Sequence, residues 1–367
     1  MTAATIAAPP RISRLEAPAA RFVFRVLIVA AQLATLFVTW PLWQTRTSPP
    51  LLPAVDLPQA NMGAALMVTS LLMLALPRCG LWIHAATLAF AMLLDQTRIQ
   101  PQMISFMLLA AGTLPGQNGR LIARTHLIAL WGYAGLHKLL SHGYFADVAP
   151  WLCEGVLPEL APNTLYGLAL SSALFELSLG MGALWPRARG AVTLGAISLH
   201  AGVLLALSPC GHNWNTSVWP WNGVLLVAPL FLIAPWRTSI VADWRAARWP
   251  TQAAALVLAL SPLGFYFGVV DAYVAHCLYS GNVARATRFD SEGGSENFNT
   301  YDSLNVPLPP EPRLYEQYFR AVAKPGDRLI IQDTRWWLQR RGRGQVEIEL
   351  PPAVSDDNVS TPSFEQP

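Results

Sequence analysis

The chain has 367 residues, 53% of them hydrophobic and 13% charged, with a net charge of +3. Soluble domains carry about a quarter charged residues, so a soluble enzyme and a disordered protein are excluded. The positive charge is also too small and too scattered to form a nucleic-acid-binding stripe. The deficit is local: 14 Arg and one Lys precede residue 280, strung between long apolar stretches, and 9 Arg and one Lys follow it. The pattern predicts an all-α polytopic membrane protein with a small α+β C-terminal region.

Residues 1–20 read as a cytoplasmic Pro/Ala-rich tail with Arg11 and Arg14. A helix needs about 20 apolar residues to cross a bilayer, and Phe22–Leu42 is the first such run. It is too long for the apolar core of a cleavable signal and ends in Trp40-Pro41-Leu42-Trp43, so it reads as a retained span with Arg25 snorkelling to the nearer interface. Further spans are expected at Ala60–Leu76, Gly80–Leu94, Ile99–Leu114, Leu121–Leu140, Thr164–Trp185, Ala191–Ser208, Val218–Pro235 and Ala253–Val270. That makes about nine, within a membrane domain covering 21–279. With the N-terminus inside, eleven arginines fall on the cytoplasmic side, while Arg46 and Arg98 fall in the short outer loops. This bias orients the protein with its N-terminus inside and its C-terminal region outside.

The Gly/Ser-rich stretch within 280–300 reads as a flexible linker. Residues 301–350 form a small extracytoplasmic unit. It has an amphipathic helix at Arg313–Ala323, with Leu314, Tyr318 and Val322 on one face, and strands at Arg328–Gln332 and Val346–Leu350. So small a unit buries little core alone and is expected to dock on the outer helix ends. Residues 351–367 read as a disordered tail. The four cysteines show no metal-ligand spacing, so no metal is expected; a disulfide among Cys153, Cys210 and Cys277 and free thiols are both open.

Ionisable groups at membrane depth are costly and mark functional candidates: Asp95, Arg98, Arg124, His126, His137, Lys138, Glu176, His200 and Asp271. Asp95 and Arg98, three apart, are expected to form a local ion pair. Lys138 is the most informative, because 23 of the 25 basic residues are Arg. A desolvated lysine can act as a base, which arginine cannot; the bland reading is an interfacial lysine reaching the headgroups. Gly132 and Gly135 on the same helix let a ligand or another helix approach closely. His200 lies deep in an apolar helix as a hydrogen-bonded bundle histidine or a catalytic group, and Glu176 could partner a cation. The run Cys210–Asn222 concentrates Trp214, Asn215, Trp219, Trp221 and Asn222. It is either an interfacial aromatic belt or a frame for a flat ring.

Tyr133-Ala134-Gly135-Leu136-His137-Lys138-Leu139 resembles the Ala-Gly-x-x-Lys-Leu helix of the vitamin K-dependent γ-glutamyl carboxylase, and still more its bacterial relatives, the horizontally transferred transmembrane (HTTM) domain proteins. Trp40–Trp43, Asp95-Gln96-x-Arg98-x-Gln100-Pro101, His200 and the Trp/Asn run fit the same group. The resemblance covers about residues 20–280. It implies a reduced vitamin K or other quinol as co-substrate with O2 and CO2. Lys138 would be the general base, His200 would assist it, and His137, Tyr133, Trp214, Asn215, Trp219, Trp221 and Asn222 would frame the quinone. In that family, oxygenation of the quinol anion yields a base strong enough to deprotonate glutamate for carboxylation. The tail here is far smaller than the carboxylase's lumenal region, so the substrate, expected to be a secreted peptide or protein, is the least transferable part. A non-enzymatic scaffold for maturation, export or immunity of a secreted peptide is the alternative. Membrane lipid is an expected partner of either.

Overall fold

The computed structural model describes residues 18–157, 159–235, 238–342 and 344–351. Most of the expected N-terminal tail, Arg237, and the C-terminal stretch from 352 lie outside the described residues. Every expected apolar run coincides with a helix: α1 (Pro18–Val38), α2 (Gly63–Ala75), α3 (Pro77–Leu94), α4 (Pro101–Ala111), α5 (Gln117–Leu139), then, after the short α6 (Ala149–Glu154), α7 (Pro162–Gly182), α8 (Arg189–Leu207), α9 (Trp219–Leu232) and, after the short α10 (Ile240–Ala246), α11 (Trp249–Leu260). Proline sits in the first turn of α3, α4, α7, α9 and α11, where its missing N–H costs nothing.

Five helical segments are long and apolar enough to cross a membrane: Pro18–Val38, Pro77–Leu94, Pro162–Gly182, Pro186–Leu207 and Trp249–Phe267. The other four expected spans fall short for two reasons. α2, α4 and α9 are too short; the 11 residues of α4 rise only about 16 Å. α5 is long enough but carries Arg120, Arg124, His126, His137 and Lys138, most of them buried against neighbouring helices. Arg25 does not snorkel. It is buried, and donates to the Thr113 hydroxyl (2.9 Å) and carbonyl (3.1 Å) beyond the end of α4.

The C-terminal unit is a four-stranded antiparallel sheet of order β2-β1-β3-β4, with β1 at Arg285–Phe289, β2 at Ser295–Asn297, β3 at Arg328–Gln332 and β4 at Gln345–Glu349. Thr287 pairs with both Asn297 and Ile330, and Ile330 with Glu347. The stretch expected as a linker thus supplies two strands. Its Gly/Ser content serves a hairpin turn instead: Asp290 accepts the N–H groups of Glu292 and Gly294, and Gly293 takes φ 88°. Two helices follow β2, α12 (Tyr301–Leu304) and α13 (Pro312–Val322), and α14 (Trp336–Arg340) connects β3 to β4. The buried stripe of α13 is Leu314, Tyr315 and Phe319, with Tyr318 and Val322 half-buried beside it.

That stripe packs with Ala286, Leu329 and Ile331 around Leu52, a residue from the loop between α1 and α2. The unit therefore completes its core with a side chain from the helical domain, as its size requires. Docking continues through polar contacts. Arg313 forks onto Asp271 (2.5 and 2.7 Å), and Asn305 donates to the Thr216 hydroxyl (2.6 Å) and the Val38 carbonyl (3.1 Å).

Candidate functional site: a cavity at the Lys138–Glu176 pair

Helices α5 and α7 meet at backbone contact. A side chain at Gly135 would come within 2.4 Å of the Leu177 nitrogen and 2.6 Å of the Ala173 carbonyl, and one at Gly180 within 2.5 Å of the Gly132 nitrogen. The glycine face of α5 therefore admits a helix, by the small-residue packing common in membrane bundles. One turn beyond Gly135, this approach sets Lys138 directly against Glu176 in a buried ion pair. The Lys138 ammonium also lies 5.5 Å from the centre of the Tyr144 ring. Lys138 does not extend from the protein surface as an interfacial lysine would; it is 7% exposed.

The pair forms part of the wall of a cavity of about 80 Å³, together with Trp131, His200, Trp221 and Asn222. His276 and Tyr279 line it from the segment after the last span, both at positive φ (66° and 57°). Such left-handed conformations are strained in non-glycine residues and gather at functional sites. Tyr279 is held by Asn215, whose amide donates to its hydroxyl at 2.7 Å. Behind His276 lies His126, at 5.5 Å between rings, which shares a 2.7 Å hydrogen bond with Ser105.

His200 is fully committed. The Trp131 indole, a donor only, gives its N–H to His200 Nε2 (3.1 Å). Nε2 is therefore the acceptor, and Nδ1 carries the proton that goes to Asn222 Oδ1 (3.0 Å). The Asn222 amide is oriented in turn by donating to the Val218 carbonyl (3.0 Å). Both nitrogens of His200 are thus engaged within the protein, tying Trp131 to Asn222.

Other expected site residues face elsewhere. His137, about 100° around the helix from Lys138, bonds the Tyr266 hydroxyl (2.7 Å) and the Ala275 carbonyl (2.8 Å). Tyr133 donates to the Ala259 carbonyl (2.7 Å). Both tie α5 to the last span and its continuation. Trp214 stacks on Tyr301 (4.7 Å) and so holds the C-terminal unit, while Trp219 gives its N–H to the Trp214 carbonyl (3.0 Å); neither indole lines the cavity. Of the residues expected to frame a ring, the structure brings Trp221 and Asn222 to Lys138, with Asn215 one step behind. Trp131, Glu176, His276 and Tyr279 complete the wall. Of these, Glu176 carried a sequence signal, as an acid at membrane depth; His276 and Tyr279 carried none, because a loop brings them in.

Two buried polar atoms belonging to cavity-lining residues have no protein partner, Glu176 Oε2 and Trp221 Nε1. Lys138 spends one of its three donors on Glu176. The wall thus offers unused donors and an unused acceptor, which fits a hydroxyl that both gives and accepts hydrogen bonds. All four cysteines are free thiols, and no group of His, Cys, Asp and Glu among the described residues is arranged to hold a metal. No protein-family model, curated protein or solved structure matches the chain.

Proposed function

We propose that this protein is a bacterial HTTM-type relative of the vitamin K-dependent carboxylase, set in the inner membrane with its N-terminus inside and its C-terminal unit outside. On this reading all nine apolar helices belong to the membrane domain, the short and polar ones shielded by the long ones. The observation that carries it is the buried Lys138–Glu176 pair with Glu176 Oε2 and Trp221 Nε1 left unpartnered. A reduced quinol would supply the electrons that O2 consumes, driving carboxylation by CO2, or a related modification, of a secreted peptide or protein.

The residues then divide the work. Lys138 and Glu176 share one proton between them: with that proton on Glu176, the Lys138 amine takes the proton of a ligand hydroxyl, and the ammonium so formed stays beside the oxygen left behind. This refines the expectation of a neutral lysine base: the amine acts as one half of a proton-sharing couple. The Trp221 N–H binds the same oxygen. Leu130, Leu199, Val203 and Leu225 exclude water around them, which strengthens each of these contacts.

The test is consumption of O2 by the protein in lipid nanodiscs given a short-chain naphthoquinol. Activity is expected in the wild type and lost in Lys138→Arg, which keeps the charge but cannot share the proton, and in Glu176→Gln. Equal turnover in Lys138→Arg overturns the proposal. One observation favours the scaffold alternative: a cavity of about 80 Å³ holds the polar edge of a ligand, whereas whole-ligand pockets run to about 300 Å³ or more. A quinol that neither binds nor is oxidised would decide for the scaffold.

A further inference from the structure

The last apolar helix, Trp249–Phe267, ends at a turn through Gly268 (φ 71°), and α14 lies against that turn. Trp337 meets Phe267 edge-on at 5.7 Å, and a side-chain carbon at Gly268 would touch Leu338 at 3.3 Å. The connection between β3 and β4 is therefore fixed at the end of a helix that is itself apolar and outward-facing there, with Leu263, Phe267 and Val269 exposed.

The other side of this connection is free. Trp336 is 53% exposed, and Arg340 and Arg341 are exposed beside it. Arg340 stacks over the Trp336 ring at 4.6 Å and Arg341 over Trp337 at 4.8 Å. Among the described residues neither arginine has a carboxylate within ion-pair distance, although the nearby Arg335 has two, Asp333 and Glu311. Indoles settle at the headgroup level of a bilayer. An arginine lying flat on an indole keeps its planar fork available for a phosphate.

We propose that Trp336, Arg340 and Arg341 form a collar that seats the C-terminal unit on anionic phospholipid headgroups around the end of the last span. The occupant follows from charge and continuity: two adjacent unneutralised cations directly adjoin an exposed apolar belt, so the anion they meet is one carried at a membrane surface. Because α14 joins β3 to β4, the grip passes straight into the sheet. The proposal rests on Trp249–Phe267 crossing the membrane, and on nothing in the cavity.

The test places the full-length protein in nanodiscs of phosphatidylcholine alone or mixed with phosphatidylglycerol. Lipid retained on the purified protein and amide exchange of residues 336–342 are then measured. Wild type should enrich phosphatidylglycerol and slow its exchange there. Arg340→Gln and Arg341→Gln should each lower the enrichment roughly fivefold, the value of one basic residue at a charged surface, with unchanged melting in phosphatidylcholine. Equal enrichment in wild type and the double variant overturns the proposal. So does a double variant that melts lower in phosphatidylcholine, since the arginines would then serve the fold. Competition by inorganic phosphate alone would reveal a site for soluble anions and likewise overturn it. Release of the protein from membranes by alkaline carbonate would remove the span beneath the collar; a wild type held in the disc yet indifferent to lipid charge removes the collar alone.

Discussion

The cavity and the C-terminal unit both bury charge, and they treat it differently. In the C-terminal unit the network is closed: Arg335 reaches Asp333 and Glu311, Glu311 accepts the Ala272 N–H, and Arg288 forks onto Asp327. Among the described residues from 222 onward, no buried side-chain nitrogen or oxygen lacks a partner. In the cavity, Glu176 and Trp221 each keep one polar atom open, and His126 Nδ1 behind them does the same. An open polar atom in a buried wall costs free energy unless something else meets it. The open atoms of Glu176 and Trp221 are set apart by facing a cavity, since Gln32, Gln102 and Thr193 keep a polar atom open without lining it.

Breaking the cavity pair should have the largest effect. Lys138→Met or Glu176→Leu alone strands a buried charge and should lower stability by about 3–5 kcal/mol. The double variant should recover most of that loss, because two apolar side chains of similar size replace a pair whose desolvation nearly cancels its attraction. Denaturant unfolding of the three variants in one detergent measures the cycle. A double variant as unstable as the sum of the singles would mean that the two side chains do not act as a pair.

A smaller effect is expected from Gly135→Ala. The added methyl meets backbone atoms of α7, which cannot rotate away, so the helices must part at a cost of about 1–3 kcal/mol. The shift should also lengthen the Lys138–Glu176 contact. Loss of quinol binding beyond what the stability change explains would show that backbone contact sets the site; unchanged binding would show that the pair adapts.

The smallest effect concerns pH and the C-terminal unit. The Asp327 carboxyl is held below the ordinary aspartate range, first by the Lys324 N–H and then by Arg288 and the Ser291 N–H, against a burial that pushes it up. Folding therefore lowers its proton affinity. Its stabilisation is complete above the unfolded value of about 3.9 and is lost as pH falls through the lower folded value. Asp327→Asn should flatten the acid limb of the melting curve of this unit. Glu311 has the opposite sign: burial raises its carboxyl more than Arg335 lowers it. Its contribution is complete below about 4.3 and is lost as pH rises through the higher folded value. An unchanged acid limb in Asp327→Asn would count against the closed network as the source of acid sensitivity.

The helices were legible because apolar runs and first-turn prolines are local signals, and the strands at 328–332 and near 346–350 because alternation is local too. The hairpin at 285–297 looks like a linker in sequence because glycine and serine mark a chain reversal without saying whether the flanks pair. Lys138 stood out as a rare lysine, and Glu176 as an acid among leucines.

The sequence alone determined an apolar helical bundle with a small, more polar C-terminal unit, since composition and periodicity follow from where each residue must sit relative to water. Only the tertiary structure decided that Gly135 and Gly180 bring α5 and α7 into contact and so join Lys138 to Glu176. It also turned His137 and Tyr133 toward the last span and carried His276 and Tyr279 back into the wall. These outcomes depend on which helix faces meet and where a loop returns, and no spacing within one segment encodes the distance between two.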